Sequence, residues 1–243
     1  LEDNVEYTVG IYDEEKLRAS FDCANEVLKC IGIDPEYQES GLTSKIVTHL
    51  IQKEHSIGRE HLFLFTKPTN TDLFTGLGFK EIERAPKWFS LLEIGPHGIE
   101  EYLGNLKKYY KKGKNGGIVV NCNPFTYGHR YLIETAAKRV DNLYVFVVEE
   151  DRSLFPFKYR MEIIKNETAD LKNVTVLNGG QYIISNSTFP NYFVRNEAKN
   201  DIVKAQTVLD VRVFGHHIAS ALNIVKRFVG TEPYCPTTSS YND

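Results

Sequence analysis

The sequence predicts an α/β protein of two domains, the second built on a parallel sheet. Three observations carry this. The first is a strand–turn–helix–strand succession. Ile118-Val119-Val120 runs into Asn121 to His129, then Leu132, Ile133, Ala136, Ala137 and Val140 recur at helical spacing, and Leu143 to Val148 follows as a second apolar run. Such a unit, in about thirty residues, makes its two strands parallel neighbours because the crossover is right-handed. The second observation is that Val174-Thr175-Val176-Leu177 and Arg227-Phe228-Val229 repeat the strand pattern downstream. The third is a break at Gly95-Pro96-His97-Gly98, with strand and helix patterns of its own on the N-terminal side. The expected organisation is therefore residues 1–94, a bridging helix and linker over 95–115, and 116–243.

At 243 residues there is ample material for two cores. A net charge of −3 offers no field for nucleic acid or an anionic membrane. No apolar run approaches the roughly 20 residues a bilayer span needs, and Leu1-Glu2-Asp3-Asn4 lacks the basic and apolar regions of a signal peptide. Cys23, Cys30, Cys122 and Cys235 are scattered without C-x-x-C spacing. Free thiols in a cytoplasmic protein are expected, rather than a zinc site or a disulfide framework.

In order, residues 5–12 alternate as a strand, and Asp13-Glu14-Glu15 is a polar turn. Lys16 to Val27 has no clear pattern. Leu28 to Ile33 reads as a second strand, ended by Asp34-Pro35-Glu36. Gln38 to Thr43 leads into Ile46, Val47, Leu50 and Ile51 at helical spacing. Leu62 to Thr66 is a further strand, Thr71 to Phe74 a short helix, and Gly76 to Phe79 turns into Lys80 to Glu83. Past the break, Ile99, Tyr102, Leu103, Leu106 and Tyr110 mark the apolar face of a helix over 99–112. Lys107, Lys108, Lys111, Lys112 and Lys114 form a basic cluster, read as a solvated face or as a docking patch for an acidic carrier protein or a phosphate.

The turn after the first strand of the second half carries the chemistry. Ligands in parallel sheets sit beyond the carboxyl ends of the strands, where this turn falls. Pro124 fixes its own backbone and pushes Asn123 towards an extended conformation. Gly128 lets backbone approach a phosphate closely. His129 falls at the helix start, where free N–H groups and the positive dipole end favour an anion, and Thr126 adds a hydroxyl to the cradle. The bland alternative is an ordinary helix start with a solvated histidine. Further on, Glu149 to Arg160 is a polar loop entering a helix, with Arg152, Lys158 and Arg160 as its basic side chains. Gln181 to Phe193, rich in hydroxyls, amides and aromatics, is a candidate specificity loop. Gly230-Thr231-Glu232 closes the last strand beside the first turn.

Thr126-Tyr127-Gly128-His129 resembles the T/H-x-G-H signature of the nucleotidyltransferase superfamily, which implies a Rossmann-like fold for the second half. In that superfamily the final His stabilises the transition state at the α-phosphate of ATP or CTP. The first half, over roughly residues 5–90, resembles the GNAT-type N-acetyltransferases through Gln38-x-x-Gly41 and Phe74 to Phe79, FTGLGF. Thr43 stands where that family's second small residue belongs, so acetyl-CoA is not expected to bind and the domain is read as vestigial or as a recognition module. Lys16 to Val27 is not expected to supply the hairpin this fold needs.

Four blocks, NCNPFTYGHRYLIE, VVEEDRSLFPFKYR, YIISNSTFPNYF and KRFVGTEPYC, make the chain similar to the [citrate (pro-3S)-lyase] ligase family. That resemblance implies a bacterial enzyme that activates acetate with ATP, Mg²⁺ travelling with the nucleotide, to acetyl-adenylate. The acetyl group would pass to the thiol of the phosphoribosyl-dephospho-CoA arm on citrate lyase's acyl carrier subunit. It implies catalytic roles for His129, Thr126 and Lys158. Nucleotide contacts would come from Asn121, Asn123, Pro124, Phe125, Gly128, His129, Arg160, Gly230, Thr231 and Glu232, with no protein-held metal. The superfamily's second signature, I-S-x-T/S-x-x-R, is not in the sequence as it stands, which leaves two expectations open: a C-terminal piece and an N-terminal hairpin are missing from it, or ATP binding is defective. Three other readings share some of these features: a nucleotidyltransferase making another adenylated product, an acetyl-CoA-dependent acetyltransferase, and a non-catalytic adaptor for an acyl carrier protein.

Overall fold

The computed structural model describes residues 6–24, 26–37, 40–149, 154–183 and 199–230. These form two compact α/β units, one ending at Gly98 and the other beginning at Ile99.

In the first unit, β1 (Tyr7–Asp13), β2 (Lys16–Ala24) and β3 (Val27–Ile33) form an antiparallel meander. Lys16 to Val27 therefore does supply a hairpin, against the sequence expectation. The inward residues of β2 are Ala19, Phe21 and Cys23, two of them small. Its outward Asp22 is also buried, accepting from the Thr8 hydroxyl at 2.6 Å, so hydropathy alternation is muted. Helix α1 (Leu42–Ser56) follows, and Ile46, Val47 and Leu50 on its apolar stripe are buried. Gly41 before it has a φ of 74°, a left-handed conformation that favours glycine. Then come β4 (Leu62–Thr66), α2 (Thr71–Thr75), β5 (Lys80–Ala85) and β6 (Phe89–Ile94). The sheet order is β1-β2-β3-β4-β6-β5, with β3 and β4 parallel and the other pairs antiparallel. Phe21, Leu28, Ile46, Leu50, Leu62, Leu64, Phe74 and Phe79 fill the core between sheet and helices.

The second unit opens with α3 (Ile99–Lys107), which stops five residues short of the expected Lys112. The Tyr144 hydroxyl ends it, accepting from the Lys111 amide at 3.0 Å and donating to the Tyr109 carbonyl at 2.9 Å. Groups that would extend the helix are thereby taken by a side chain. Tyr102 of this helix donates to the Gly179 carbonyl at 2.7 Å, so α3 packs on the second unit. Next come β7 (Asn115–Val120), α4 (Tyr127–Ala137), β8 (Asn142–Val147), α5 (Phe157–Glu167) and β9 (Val174–Asn178). Then α6 (Lys199–Val213) runs through a π turn at Phe214–Ile218 into α7 (Ala219–Leu222), and β10 (Ile224–Phe228) completes the unit.

The four strands lie in the order β10-β7-β8-β9 and every pair is parallel. This is the α/β parallel sheet expected for the second half. Ile118, Val120, Val145 and Val147 pack with Ile133 and Ala136 of α4 and Ile164 of α5 on one face. Gly116 and Gly117 serve packing rather than ligand: a Cβ on Gly116 would lie 2.8 Å from Phe228, and one on Gly117 would lie 3.0 Å from Phe214. Buried Asn115 ties the amino end of β7 to the Lys111 and Leu222 carbonyls. The basic cluster from Lys107 to Lys114 thus sits at the amino end of a six-residue strand, about 20 Å from the opposite end.

Candidate functional site

At the carboxyl end of β7 the chain leaves the sheet abruptly. Cys122 adopts a φ of 52° with its thiol buried, and the Asn123–Pro124 peptide is cis. Burial pushes the Cys122 thiol up to about 12, while the nearby Arg160 charge pulls it the other way. Thr126 then takes an extended conformation, φ −130° and ψ 166°, as the N-cap of α4.

Thr126 and His129 form a reciprocal capping box. The Thr126 side chain accepts from the His129 backbone amide, and the Thr126 amide donates to Nδ1 of His129 at 3.1 Å. The Thr126 hydroxyl also lies 2.8 Å from that same nitrogen. An amide N–H can only donate, so Nδ1 presents its lone pair and the proton of the neutral ring resides on Nε2. The imidazole thus carries its N–H donor on Nε2, at a helix start where the Tyr127 and Gly128 amides have no intrahelical acceptor. Phe125, half-buried against the core, supports the ring at a centroid distance of 5.8 Å.

Gly128 is exposed, and a Cβ there would meet only Thr126 Oγ1, at 3.6 Å. Its φ lies outside the left-handed range, so neither packing nor conformation requires glycine. What the missing side chain leaves open is the space in front of the helix start.

Arg160 sits differently from its expected place on the phosphates. It is 1% exposed, with Nε donating to the Phe155 carbonyl and Nη1 to Asn121 O, Asn121 Oδ1 and Val148 O, all at 2.8–2.9 Å. A guanidinium committed to these oxygens is turned inward, away from a ligand in solvent. Asn121, itself exposed, has both its oxygens held by Arg160, and Asn123 Oδ1 accepts from the Phe155 amide at 3.0 Å. The polar loop entering α5 is in this way laced to the turn, and Lys158, exposed at the second position of α5, stands beside it. The signal for Arg160 was in the sequence: it stands four residues before buried Ile164, on the inward stripe of the helix.

Gly230 lies exposed just beyond β10, next to β7, and a Cβ there would be 3.8 Å from Leu132 of α4. Of the remaining expectations, Thr231, Glu232, Arg152 and Gln38 lie outside the described residues, as does the specificity loop beyond Ile183. Tyr182 and Ile183 themselves are buried. Tyr127, 95% exposed beside the capping Thr126, was not singled out by sequence. Among the described residues no three His, Cys, Asp or Glu side chains are grouped to hold a metal ion, and no helix is long and apolar enough to cross a membrane.

A parallel sheet whose first strand ends in a Thr-x-Gly-His helix start defines a nucleotidyltransferase-like domain. Residues 115–243 match the family described as the citrate lyase ligase C-terminal domain. Over 244 aligned residues the chain is 39% identical to the [citrate [pro-3S]-lyase] ligase of Haemophilus influenzae, covering 100% of this chain and 72% of that protein. It is 41% identical to the one from Klebsiella pneumoniae, covering 100% of this chain and 70% of that protein. The chain belongs to the [citrate (pro-3S)-lyase] ligase family. Among solved structures, the ribosomal-protein-S18-alanine N-acetyltransferase of Escherichia coli aligns at 21% identity and a TM-score of 0.36. That alignment covers 39% of this chain and 71% of that one, too slight a likeness to carry an argument.

Proposed function

We propose that this chain activates acetate with ATP and passes the acetyl group to the thiol of the phosphoribosyl-dephospho-CoA arm on citrate lyase's acyl carrier subunit, switching citrate lyase on in the bacterial cytoplasm. An acetate oxygen attacks the α-phosphorus and the bond to the bridging oxygen breaks, releasing pyrophosphate and leaving acetyl-adenylate. The thiol then displaces AMP. The first step needs no protein nucleophile, so positioning and charge stabilisation supply the catalysis.

The single observation that carries the reading is the capping box that leaves the proton of the neutral His129 ring on Nε2, at the start of α4. That donor, with the adjacent amides and the positive end of the helix dipole, faces an anion as charge builds on the α-phosphate. Thr126 holds the imidazole in the required tautomer. Gly128 leaves room for phosphate oxygens to approach backbone N–H groups. Lys158 neutralises the departing pyrophosphate, and Mg²⁺ brought with the nucleotide would add further charge neutralisation there. Asn121, Asn123, Pro124 and Phe125 shape the cradle wall, and Gly230 with Thr231 and Glu232 lines the nucleotide. Arg160 acts through Asn121 rather than on the phosphates. In this reading residues 1–94 are a GNAT-like domain that holds no acetyl-CoA, and 116–243 the adenylating domain.

The test is acetate-dependent exchange of labelled pyrophosphate into ATP. Exchange that requires acetate and falls by roughly 100-fold or more in His129→Ala supports the reading. A wild-type chain that exchanges with neither acetate nor any other carboxylate overturns it.

A further inference from the structure

We propose that Arg160 is a positioning residue that sets the shape of the adenylation turn from beneath. The proposal rests on the adenylation reading above. Three chain segments meet at the carboxyl end of the parallel sheet: the turn after β7, the residue after β8, and the loop before α5. The β7–β8 ladder runs one bond past the strands, with the Val148 amide donating to the Val120 carbonyl at 2.9 Å. Asn121 and Val148 lie just past the ends of β7 and β8, and Phe155 lies outside any strand or helix. The Arg160 guanidinium takes all three carbonyls at once.

A buried charge is costly unless hydrogen bonds replace water, so this side chain, at 1% exposure, constrains its acceptors as much as they constrain it. Nη1 has two hydrogens and three acceptors within 2.9 Å, so one hydrogen is shared. Two of those acceptors are the carbonyl and amide oxygens of Asn121, which fixes both the backbone and the side chain of the residue that opens the turn. The Phe155–Asn123 bond closes a second link between the same segments. A planar fork can serve divergent oxygens from three segments; a lysine ammonium, a compact point charge, cannot do so in one position. What Arg160 supplies is therefore geometry: it holds the base of the turn whose other end presents Thr126 and His129.

Arg160→Lys and Arg160→Met are compared with wild type by two measurements. The first is turnover and ATP KM in acetate-dependent pyrophosphate exchange. The second is amide hydrogen exchange across the second unit, which requires no nucleotide. Displacing a catalytic group by about 1 Å costs on the order of 100-fold in rate. Arg160→Lys, which keeps the charge, is therefore expected to lose roughly that factor in turnover with ATP KM changed by no more than about threefold. The amides of Asn121, Cys122, Asn123, Phe125 and Thr126 are expected to exchange at least about tenfold faster while β9 and α6 keep wild-type protection. Wild-type turnover in Arg160→Lys, or a turn as protected as in wild type, overturns the proposal. So does a loss of protection spread evenly over the unit, since that marks general destabilisation. If Arg160→Met fails to fold, Arg160→Lys alone decides. Should the wild type show no acetate-dependent exchange, the adenylation reading falls, and the hydrogen-exchange pattern still decides whether Arg160 fixes the turn.

Discussion

The Thr126 amide donates to Nδ1 of His129 across 3.1 Å, and this one bond fixes which imidazole nitrogen carries the proton. A protonated ring has no lone pair on Nδ1 and breaks the bond, so the cap and the neutral Nε2–H tautomer stand or fall together. Nitrogen NMR of the histidine rings is therefore expected to show His129 with an unprotonated Nδ1 and a protonated Nε2 at neutral pH. The reverse tautomer as the dominant form would contradict the capping geometry. Removing the ring in His129→Ala is expected to cost roughly 10²–10³ in exchange rate, the loss seen when one transition-state donor is deleted. Thr126→Val keeps the shape but deletes the cap oxygen, and is expected to cost about 1 kcal/mol of stability as well as rate.

Gly128 and Gly116 predict opposite outcomes for the same substitution. At Gly116 an alanine Cβ would press on Phe228 at 2.8 Å and Val140 at 3.1 Å, and overpacking of this kind costs about 1–3 kcal/mol. At Gly128 the Cβ meets only Thr126 Oγ1 at 3.6 Å, and alanine is favoured over glycine in a helix by up to about 1 kcal/mol. Gly128→Ala is thus expected to melt at or above the wild-type temperature while its ATP KM rises and its exchange rate falls. Unchanged kinetics in this variant would mean that no phosphate approaches the helix start there.

The centre of the parallel sheet was legible because Ile118 to Val120 and Leu143 to Val148 are short continuous apolar runs set on either side of a helical periodicity, the pattern of a strand–helix–strand unit. β2 was not, because Ala19 and Cys23 are too small to mark an inward face and Asp22 on the other face is buried by Thr8. The end of α3 was misread because the apolar spacing continues to Tyr110, while the hydroxyl that stops the helix belongs to Tyr144, 33 residues past Lys111. In the site, Thr126 and His129 could be placed at a helix start from spacing alone, but not bonded to each other. Arg152, Lys158 and Arg160 stand alike as basic residues of one loop until the helical phase is counted from Ile164. What separates Arg160 is a helical phase that turns it inward, where its partners are backbone carbonyls with no signature in side-chain pattern.

Two thiols give a pH prediction. Burial pushes both Cys23 and Cys122 up to about 12, Cys23 with added help from the nearby Glu54 carboxylate. The unfolded thiol titrates near 8.5. A raised folded value favours the neutral thiol, so this contribution to stability is complete below about pH 8.5 and fades as pH climbs towards 12. In native protein at pH 8, iodoacetamide is therefore expected to leave Cys23 and Cys122 unmodified, and peptide mapping after denaturation should find both newly reactive. Rapid native alkylation of Cys122 would show that the turn opens far more readily than its packing allows.

Lys158 stands at the second position of α5, exposed, at the end of a helix where the dipole disfavours a cation. Neither burial nor helix electrostatics recommends lysine there, and the adenylation reading gives it a role on the departing pyrophosphate. Lys158→Ala is accordingly expected to leave the melting temperature unchanged or slightly raised. Exchange is expected to slow by roughly tenfold, the loss of a charge-assisted contact to an oxyanion. Lys158→Arg, which keeps the charge, should recover most of the rate, and the difference between Ala and Lys should shrink as salt screens an exposed site. An alanine variant with wild-type exchange at every ionic strength would remove Lys158 from the pyrophosphate contact and leave the helix start at His129 to hold the phosphates without it.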